Sequence, residues 1–416
     1  MTTWILQPRD TLLVRDARPS YAGTGGLRTL DFPWPSSLAG LLRTQIGSAK
    51  SGHFDLDIEQ AKQIAIRGPL LVELDNMGEL ATAKGVLDGL FVPAPSDCIW
   101  YRESAETDPS KTVIVRRRLE PVNYREELPG YRTDLDTKPY GAERTKYILR
   151  HREDAPIGKP AAGPAFWRWP DFLSWLEGPA AVTAFAEKEE EGSGSLRCIK
   201  SFGLPALDRE QRTHVSIDSQ SQTASDGMLF VTESLRFTKR EPGGSPKELG
   251  LLFTCDNPHS SDRKLRPSLV TFGGERKLSF LSETKQSLPS LPPTLVPALH
   301  KKPQQGPRMA RVILLTPALF KEGFAPKWIG SESVHVVAAA VPRPQIVSGW
   351  DFAQGTPKKN RRMAPAGSVY WVELPDGFDA ERTEAWLQSV WMKTLTNQMT
   401  DQDAKDGFGL CVVGVG

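Results

Sequence analysis

Few residues in this chain are of types and spacings that could do chemistry. Of its six histidines, only His214 is expected on an ordered element, beside Arg212 and a polar turn. An imidazole there can serve as a general base, or stack and hydrogen-bond against a nucleic acid. The pairs Asp55/Asp57 and Asp134/Asp136 could hold a cation, but lone Asp-x-Asp pairs are more often caps or turns. The four cysteines, Cys98, Cys198, Cys255 and Cys411, show no metal-ligand spacing. There is no G-x-S-x-G elbow and no H-E-x-x-H, and "GTGGLR" and "GSAKSG" miss the phosphate-loop patterns at their last positions. No cofactor or metal is expected.

Glycine and cations carry more signal. Gly407, Gly409 and Gly414 give G-x-G-x4-G. A dinucleotide or triphosphate cradle needs a strand before such glycines and a helix after them. Here the expected order is helix, glycine turn, strand, so Gly407 and Gly409 turn the chain, with Leu410, Val412, Val413 and Val415 as core. Such a turn can also offer backbone N–H groups to a phosphodiester, which makes Gly407, Phe408 and Gly409 candidate RNA contacts. Basic clusters stand at Arg116–Arg118, Arg263/Lys264/Arg266, Arg276/Lys277, Lys301/Lys302 and Lys358/Lys359/Arg361/Arg362. Two stand out: Arg276 and Lys277 follow the Gly273–Gly274 turn, and the Lys358 cluster follows "SGWDFAQGTP". Cations on exposed loops suit phosphate contacts, which position a nucleic acid without reading its sequence.

The elements that must carry these loops follow from periodicity. "TTWILQPRDTLLVRD" reads as a strand and a charged turn. "PWPSSLAGLLRTQIG" reads as a helix capped by Ser36, with Leu38, Leu41, Leu42 and Ile46 on one face and Arg43 off it. Strands are expected at "AIRGPLLVEL", "GLFVPAP", "DCIWYR" and "KTVIVRRRLEPV". Residues 124–164 read as an insertion or long loop, "WPDFLSWLEG" as a short helix, and "EKEEEGSGS" as a flexible connector. A hairpin is expected around Val215/Ile217 and Leu229/Val231, with an exposed ten-residue tip from Asp218 to Gly227, and a second one at Gly273–Gly274. After the proline-rich bridge near residue 300 the order is strand, strand, strand, helix, strand. In that helix Asp379 caps, and Trp386, Leu387, Val390, Trp391 and Leu395 form the buried stripe.

The bulk numbers agree with a globular protein. The chain has 416 residues, more than one ordinary core holds, so two domains are expected: 1–300 with the insertion, and 301–416. Charged residues make up 25%, and 52 Lys+Arg against 50 Asp+Glu gives a net charge of +2. Any nucleic-acid contact must therefore come from local clusters. No stretch reaches the length that spans a bilayer, and the start lacks a long apolar leader, so a reduced, cytoplasmic protein is expected.

Taken in order, these segments resemble one family. "LLVRDARPS" is similar to its F-R-D-G-R-P-F signature, with Ala17 and Ser20 departing from it, and "PWPSSLAGLLRTQIG" to its P-x-P-S-T helix. "HVSIDSQSQTASDGMLFVTESLRF", "GGERKLSF", "SGWDFAQGTPKKNRRMAPAGSVYWVE" and "GFGLCVVGVG" resemble its hairpin, glycine turn, S-G-W-D segment and closing loop. The family is the third subunit of the Cmr (type III-B CRISPR) effector complex, in the RAMP superfamily.

The resemblance implies an α+β fold of two ferredoxin-like (RRM-like) βαββαβ halves, with an open sheet face for single-stranded RNA. It implies a non-catalytic subunit that binds the 5′ handle of the CRISPR RNA, close to target RNA. Such a subunit docks on the large polymerase/cyclase subunit and on the first backbone subunit, and a thumb hairpin separates handle from guide. The RNA-contact candidates are then Gly273, Gly274, Arg276 and Lys277; Gly407, Phe408 and Gly409; Arg15, Arg18 and Arg43; His214 and Thr223 on the thumb; and Lys358, Lys359, Arg361 and Arg362. The alternative is a metal-independent CRISPR RNA-processing endonuclease of the same superfamily with His214 as base.

Overall fold

The computed structural model describes residues 1–15, 27–75, 87–104, 112–123, 147–151, 158–178, 182–186, 202–239, 246–301, 306–321, 323–351 and 355–416. The class is α+β. Along the chain come β1 (Thr2–Pro8), α1 (Pro35–Gly47), β2 (Ala65–Glu73), β3 (Leu90–Pro93), β4 (Cys98–Ser104), β5 (Thr112–Arg118), β6 (Phe166–Arg168), α2 (Trp169–Leu176) and β7 (Gly203–Leu204). Then come β8 (Asp208–Ile217), β9 (Ala224–Arg236), β10 (Lys247–Asp256), β11 (Ser268–Thr271) and β12 (Leu278–Thr284). The second half holds β13 (Met309–Leu314), β14 (Ser331–Ala340), β15 (Gln345–Val347), β16 (Arg361–Met363), β17 (Val369–Glu373), α3 (Ala380–Val390) and β18 (Leu410–Val415).

Strands β7-β6-β3-β2-β10-β1-β12-β11 lie in that order in one sheet, and β14-β17-β13-β18 form the centre of another. Within each half the first, second, third and fourth main strands lie in the spatial order second, third, first, fourth. All these neighbours are antiparallel, in the first half and in the second. The crossovers differ from the expected pattern of two helices per half. In the first half α1 joins strands one and two, while residues 257–267 between β10 and β12 hold turns and no helix. In the second half α3 joins strands three and four, and the described residues between β13 and β14 hold no helix. Where the first half lacks its second helix, Leu12, Val14, Leu235 and Phe237 join α1 in one apolar cluster with Leu251, Phe253 and Leu281 of the sheet.

Helix α1 forms as its periodicity requires, burying Leu38, Leu41, Leu42 and Ile46. Its start differs from expectation. Pro35 takes the first turn, Trp34 is the N-cap residue, and no side chain, Ser36 included, caps it. Proline fits there because its missing N–H would be unpaired in any case. In α3 the Asp379 carboxylate does cap, accepting from Arg382 N at 2.8 Å. That helix stops at Val390, and Trp391 and Leu395 are buried just beyond it.

The sheet face opposite α1 is not open. Side chains alternate along β1, so Trp4 and Leu6 meet the α1 cluster while Ile5 faces the other way. Ile5, Leu70, Val72 and Leu252 share a single buried cluster with Val312, Trp371, Leu387 and Val412 of the second half. The surface expected to receive RNA is instead the seam between the halves. The polar centre of that seam is Arg311 on β13, fully buried. Its Nη1 lies 2.5 Å from Asp97 Oδ2, and it donates to the carbonyls of Trp175 and Val415 at 2.5 and 2.6 Å. Asp97 also accepts from Trp175 Nε1 at 3.1 Å.

The thumb hairpin is β8 paired with β9, with Ala224–Gly227 in the second strand, so its tip is shorter than the expected ten residues. Part of the 124–164 stretch is sheet: Tyr147–Arg150 pairs with Glu120–Asn123, and Lys159–Ala161 pairs with β4. Residues 124–146 and 152–157, and the 187–195 connector, lie outside the described residues. No helix among the described residues is long and apolar enough to cross a membrane.

Candidate nucleic-acid interface

A groove of about 660 Å³ opens between the halves. One wall is the segment Thr29–Pro35 with Phe166; the other is Leu315–Pro317 with Pro344–Ile346, Asn360 and Ala366. The first wall is placed by the base of the thumb. Leu27 N donates to Val231 O at 2.7 Å, and Glu233 N donates back to Leu27 O at 2.9 Å. The Arg209 guanidinium then bridges Glu233 to Asp31. The second wall is placed by the β15–β16 hairpin, in which Ile346 lies opposite Arg362, and by a bridge from Ala318 to Ala364.

Phe32 packs against Phe166 at 5.5 Å between ring centroids, and the half-buried Trp34 lies beside them. Prolines 33, 35, 69, 93, 317 and 344 stiffen the lining. Among the described residues no lysine or arginine lines it, and its one carboxylate, Asp31, is paired with Arg209. Gln345 Oε1 is buried there without a hydrogen-bond partner among the described residues.

The structure brings some expected contact residues to this groove and moves others away. Arg15 is exposed and bridges to Thr29 of the first wall. Lys358, Lys359 and Arg362 are exposed around Asn360 on the second wall. Arg361, from the same run, is held by Asp403 through two 2.8 Å contacts, which ties the loop to the helix Asp401–Lys405. The Gly273–Gly274 turn sits on the segment leading to Arg15, and Gly274 N donates to Leu13 O at 2.6 Å. Arg276 is exposed there, at a φ of +51°, and Lys277 pairs with Glu275 at 3.2 Å.

Other residues have structural work instead. Arg43 Nη1 reaches Asp406 at 2.6 Å and Nη2 donates to Ile64 O at 3.0 Å, joining α1 to the far half. Gly407, Phe408 and Gly409 are buried. Their N–H groups donate to Ala404, Asp403 and Pro317 carbonyls at 3.1, 3.1 and 2.8 Å. With every one of these donors used inside the chain, none is left for a phosphate. Gly407 is glycine because its φ is +95° and a Cβ would lie 2.8 Å from Gly68 O. Gly407→Ala should cost about 1–3 kcal/mol of stability, read as a lower urea midpoint, and leave RNA affinity of the folded protein unchanged.

On the thumb, His214 Nε2 lies 2.8 Å from Thr232 Oγ1 and its ring stacks on Phe230 at 5.0 Å. Thr223 is exposed at the tip, 2.8 Å from Ser221 Oγ. Arg18 lies outside the described residues. Asp57 caps the short helix Ile58–Lys62, and Asp55 pairs with Arg263, so this Asp-x-Asp pair is a cap and an ion pair. No metal-binding cluster forms among the described residues. Sequence reasoning missed Phe32, Trp34, Phe166 and Gln345. The signal for the first two was the alternation of aromatics and prolines in "DFPWP", which was absorbed into the start of α1.

The sequence matches the family described as CRISPR-associated protein (Cas_Cmr3) over residues 4–416. No curated protein matches the chain. Among solved structures, a chain of the type III-B Cmr-beta complex bound to cognate target RNA aligns at a TM-score of 0.45 and 15% identity, covering 89% of this chain and 86% of that one. The same complex with target RNA and AMPPnP gives 0.43 at the same identity and coverage. A chain of the type III-A Csm3-Csm4 subcomplex gives 0.31 and 11%, covering 90% of this chain and 93% of that one.

Proposed function

Since the chain belongs to the CRISPR-associated Cas_Cmr3 family by a match running from residue 4 to residue 416, we propose that it is a non-catalytic RNA-binding subunit of a type III-B CRISPR effector complex. In this reading it holds the 5′ handle of the CRISPR RNA along the groove between its halves. It docks on the large polymerase/cyclase subunit and the first backbone subunit. The strand order of each half supports a pair of ferredoxin-like units, each keeping one of its two helices.

The observation that carries the proposal is the groove itself: aromatic and proline walls, with Arg15, Lys358, Lys359 and Arg362 at the lips. Cations outside and rings inside is the division of labour that single-stranded RNA requires, with charge tracking the phosphates and π-faces stacking the bases. The endonuclease reading gains nothing from His214. Its Nε2 is engaged by Thr232, and the nearby Arg212 is paired with Glu210.

The test is equilibrium binding of handle-bearing RNA across a salt series. Replacing Lys358, Lys359 and Arg362 by alanine should weaken binding and flatten the slope of log affinity against log salt by about 2, at ~0.7 per single-strand phosphate. An unchanged slope removes the groove from the RNA path.

A further inference from the structure

Between Leu27 and the start of α1 at Pro35 the chain makes only isolated bridges, so the first wall of the groove has no strand or helix of its own to hold its rings. The inner end of β9 supplies the support. Leu235 exchanges both backbone hydrogen bonds with Leu12, at 2.8 and 2.7 Å, and Leu27 bonds to Val231 O and Glu233 N. Leu30 N then donates to Val14 O at 2.7 Å, and Thr29 Oγ1 donates to the same carbonyl at 3.2 Å. The hydrogen-bond ladder of the thumb thus runs on through two loop segments into the wall.

Backbone and side-chain support meet at Glu233. Its carboxylate accepts from Thr29 N at 3.4 Å and from the Arg209 guanidinium, whose other arm holds Asp31. Gln211 lies opposite Glu233 and Leu235 opposite Arg209, so Arg209 and Glu233 share one face of the hairpin as diagonal neighbours. The Glu233 side chain is 14% exposed and that of Asp31 81%. An ion pair to so exposed a carboxylate contributes little, which makes Glu233 the fixed end and Asp31 the end being held. Asp31, Phe32 and Trp34 follow Thr29 closely and line the groove. A carboxylate beside a path for a polyanion repels its ligand, so an anion at this point calls for another role.

We propose that Glu233 is a positioning residue for RNA binding: through Thr29 and Arg209 it makes the base of the thumb set where the Phe32 and Trp34 rings stand. It touches no nucleotide itself. Its contribution is a wall already in place when a strand arrives, which spares the ligand the cost of ordering it. This inference rests on the groove being the RNA path and adds which residue keeps its first wall ready.

The experiment compares full-length Glu233→Ala, Glu233→Gln and Glu233→Asp by titration with handle-bearing RNA and by hydrogen exchange of residues 27–34 in the free protein. Glu233→Ala should speed that exchange by about tenfold and weaken handle binding by about tenfold, the result of a wall in place about a tenth of the time, with the salt slope unchanged. Glu233→Gln should keep most of the affinity, because the amide oxygen still accepts from Thr29 and Arg209. Glu233→Asp keeps the charge but shortens the reach and should lose binding several-fold; it replaces the alanine variant if that one fails to fold. Added to Phe32→Ala with Trp34→Ala, Glu233→Ala should cost less than about twofold more, since the rings it positions are gone. A residue that only stabilised the fold would cost the same in both backgrounds. The inference is overturned if Glu233→Ala and Glu233→Gln both tighten binding, the sign of plain charge repulsion, if exchange of residues 27–34 stays unchanged, or if the losses add. If the ring variant alone leaves handle affinity intact, the groove reading fails, while the exchange result still decides whether Glu233 holds the wall.

Discussion

Arg311→Met should lower the free energy of unfolding by about 3–5 kcal/mol, seen as a reduced urea midpoint. The guanidinium and its partner Asp97 are both fully buried. Burial pulls the Arg311 pKa down, and the Asp97 charge opposes that. Removing the arginine strands Asp97 with only the Trp175 indole N–H among the described contacts, and leaves the Trp175 and Val415 carbonyls without their donor. Lysine should not rescue it, because one ammonium cannot span three acceptors set in a planar fork. Arg311→Met combined with Asp97→Leu should recover part of the loss, since apolar replacement of a whole buried pair often costs little. A loss below about 1 kcal/mol for the single variant would show that the pair does not hold the seam.

Phe32→Ala together with Trp34→Ala should reduce handle affinity by about 1–3 kcal/mol for each base unstacked, roughly five- to 150-fold. Trp34→Phe and Phe32→Tyr should retain most of the binding, because the π-face survives. The salt slope separates this effect from the cation variants: removing rings lowers affinity at every salt concentration and leaves the slope alone. Loss of affinity accompanied by a lower thermal midpoint would instead mean that Trp34 acts through the start of α1, where it is the N-cap residue.

Much of the fold could be read from local pattern. The apolar stripe of α1, the Asp379 cap and the valine-rich final strand are short-range signals, and each leads to the element found. What could not be read depends on contacts distant in sequence. "GFG" offers the same backbone donors whether it faces water or protein. Only the approach of Gly68 and Pro317 decides that it is internal. Arg43 and Arg361 look like any surface cations until Asp406 and Asp403 arrive from the short helix Asp401–Lys405 and its C-cap, distant in sequence. The site itself is legible only in part. The Lys358 run was visible as charge, but its groove is assembled from residues about 30, 166, 316 and 345, which no periodicity links.

The seam also fixes how the groove can work. Its walls belong to different halves, yet those halves share one continuous core and one buried guanidinium. Opening the walls would tear that core, so the slot has a set width, and under the proposed function an RNA strand would enter it without any jaw closing behind. The ordering cost of forming the slot is met when the chain folds rather than when ligand arrives. Discrimination would then come from what fits between the prolines, and release would need no hinge.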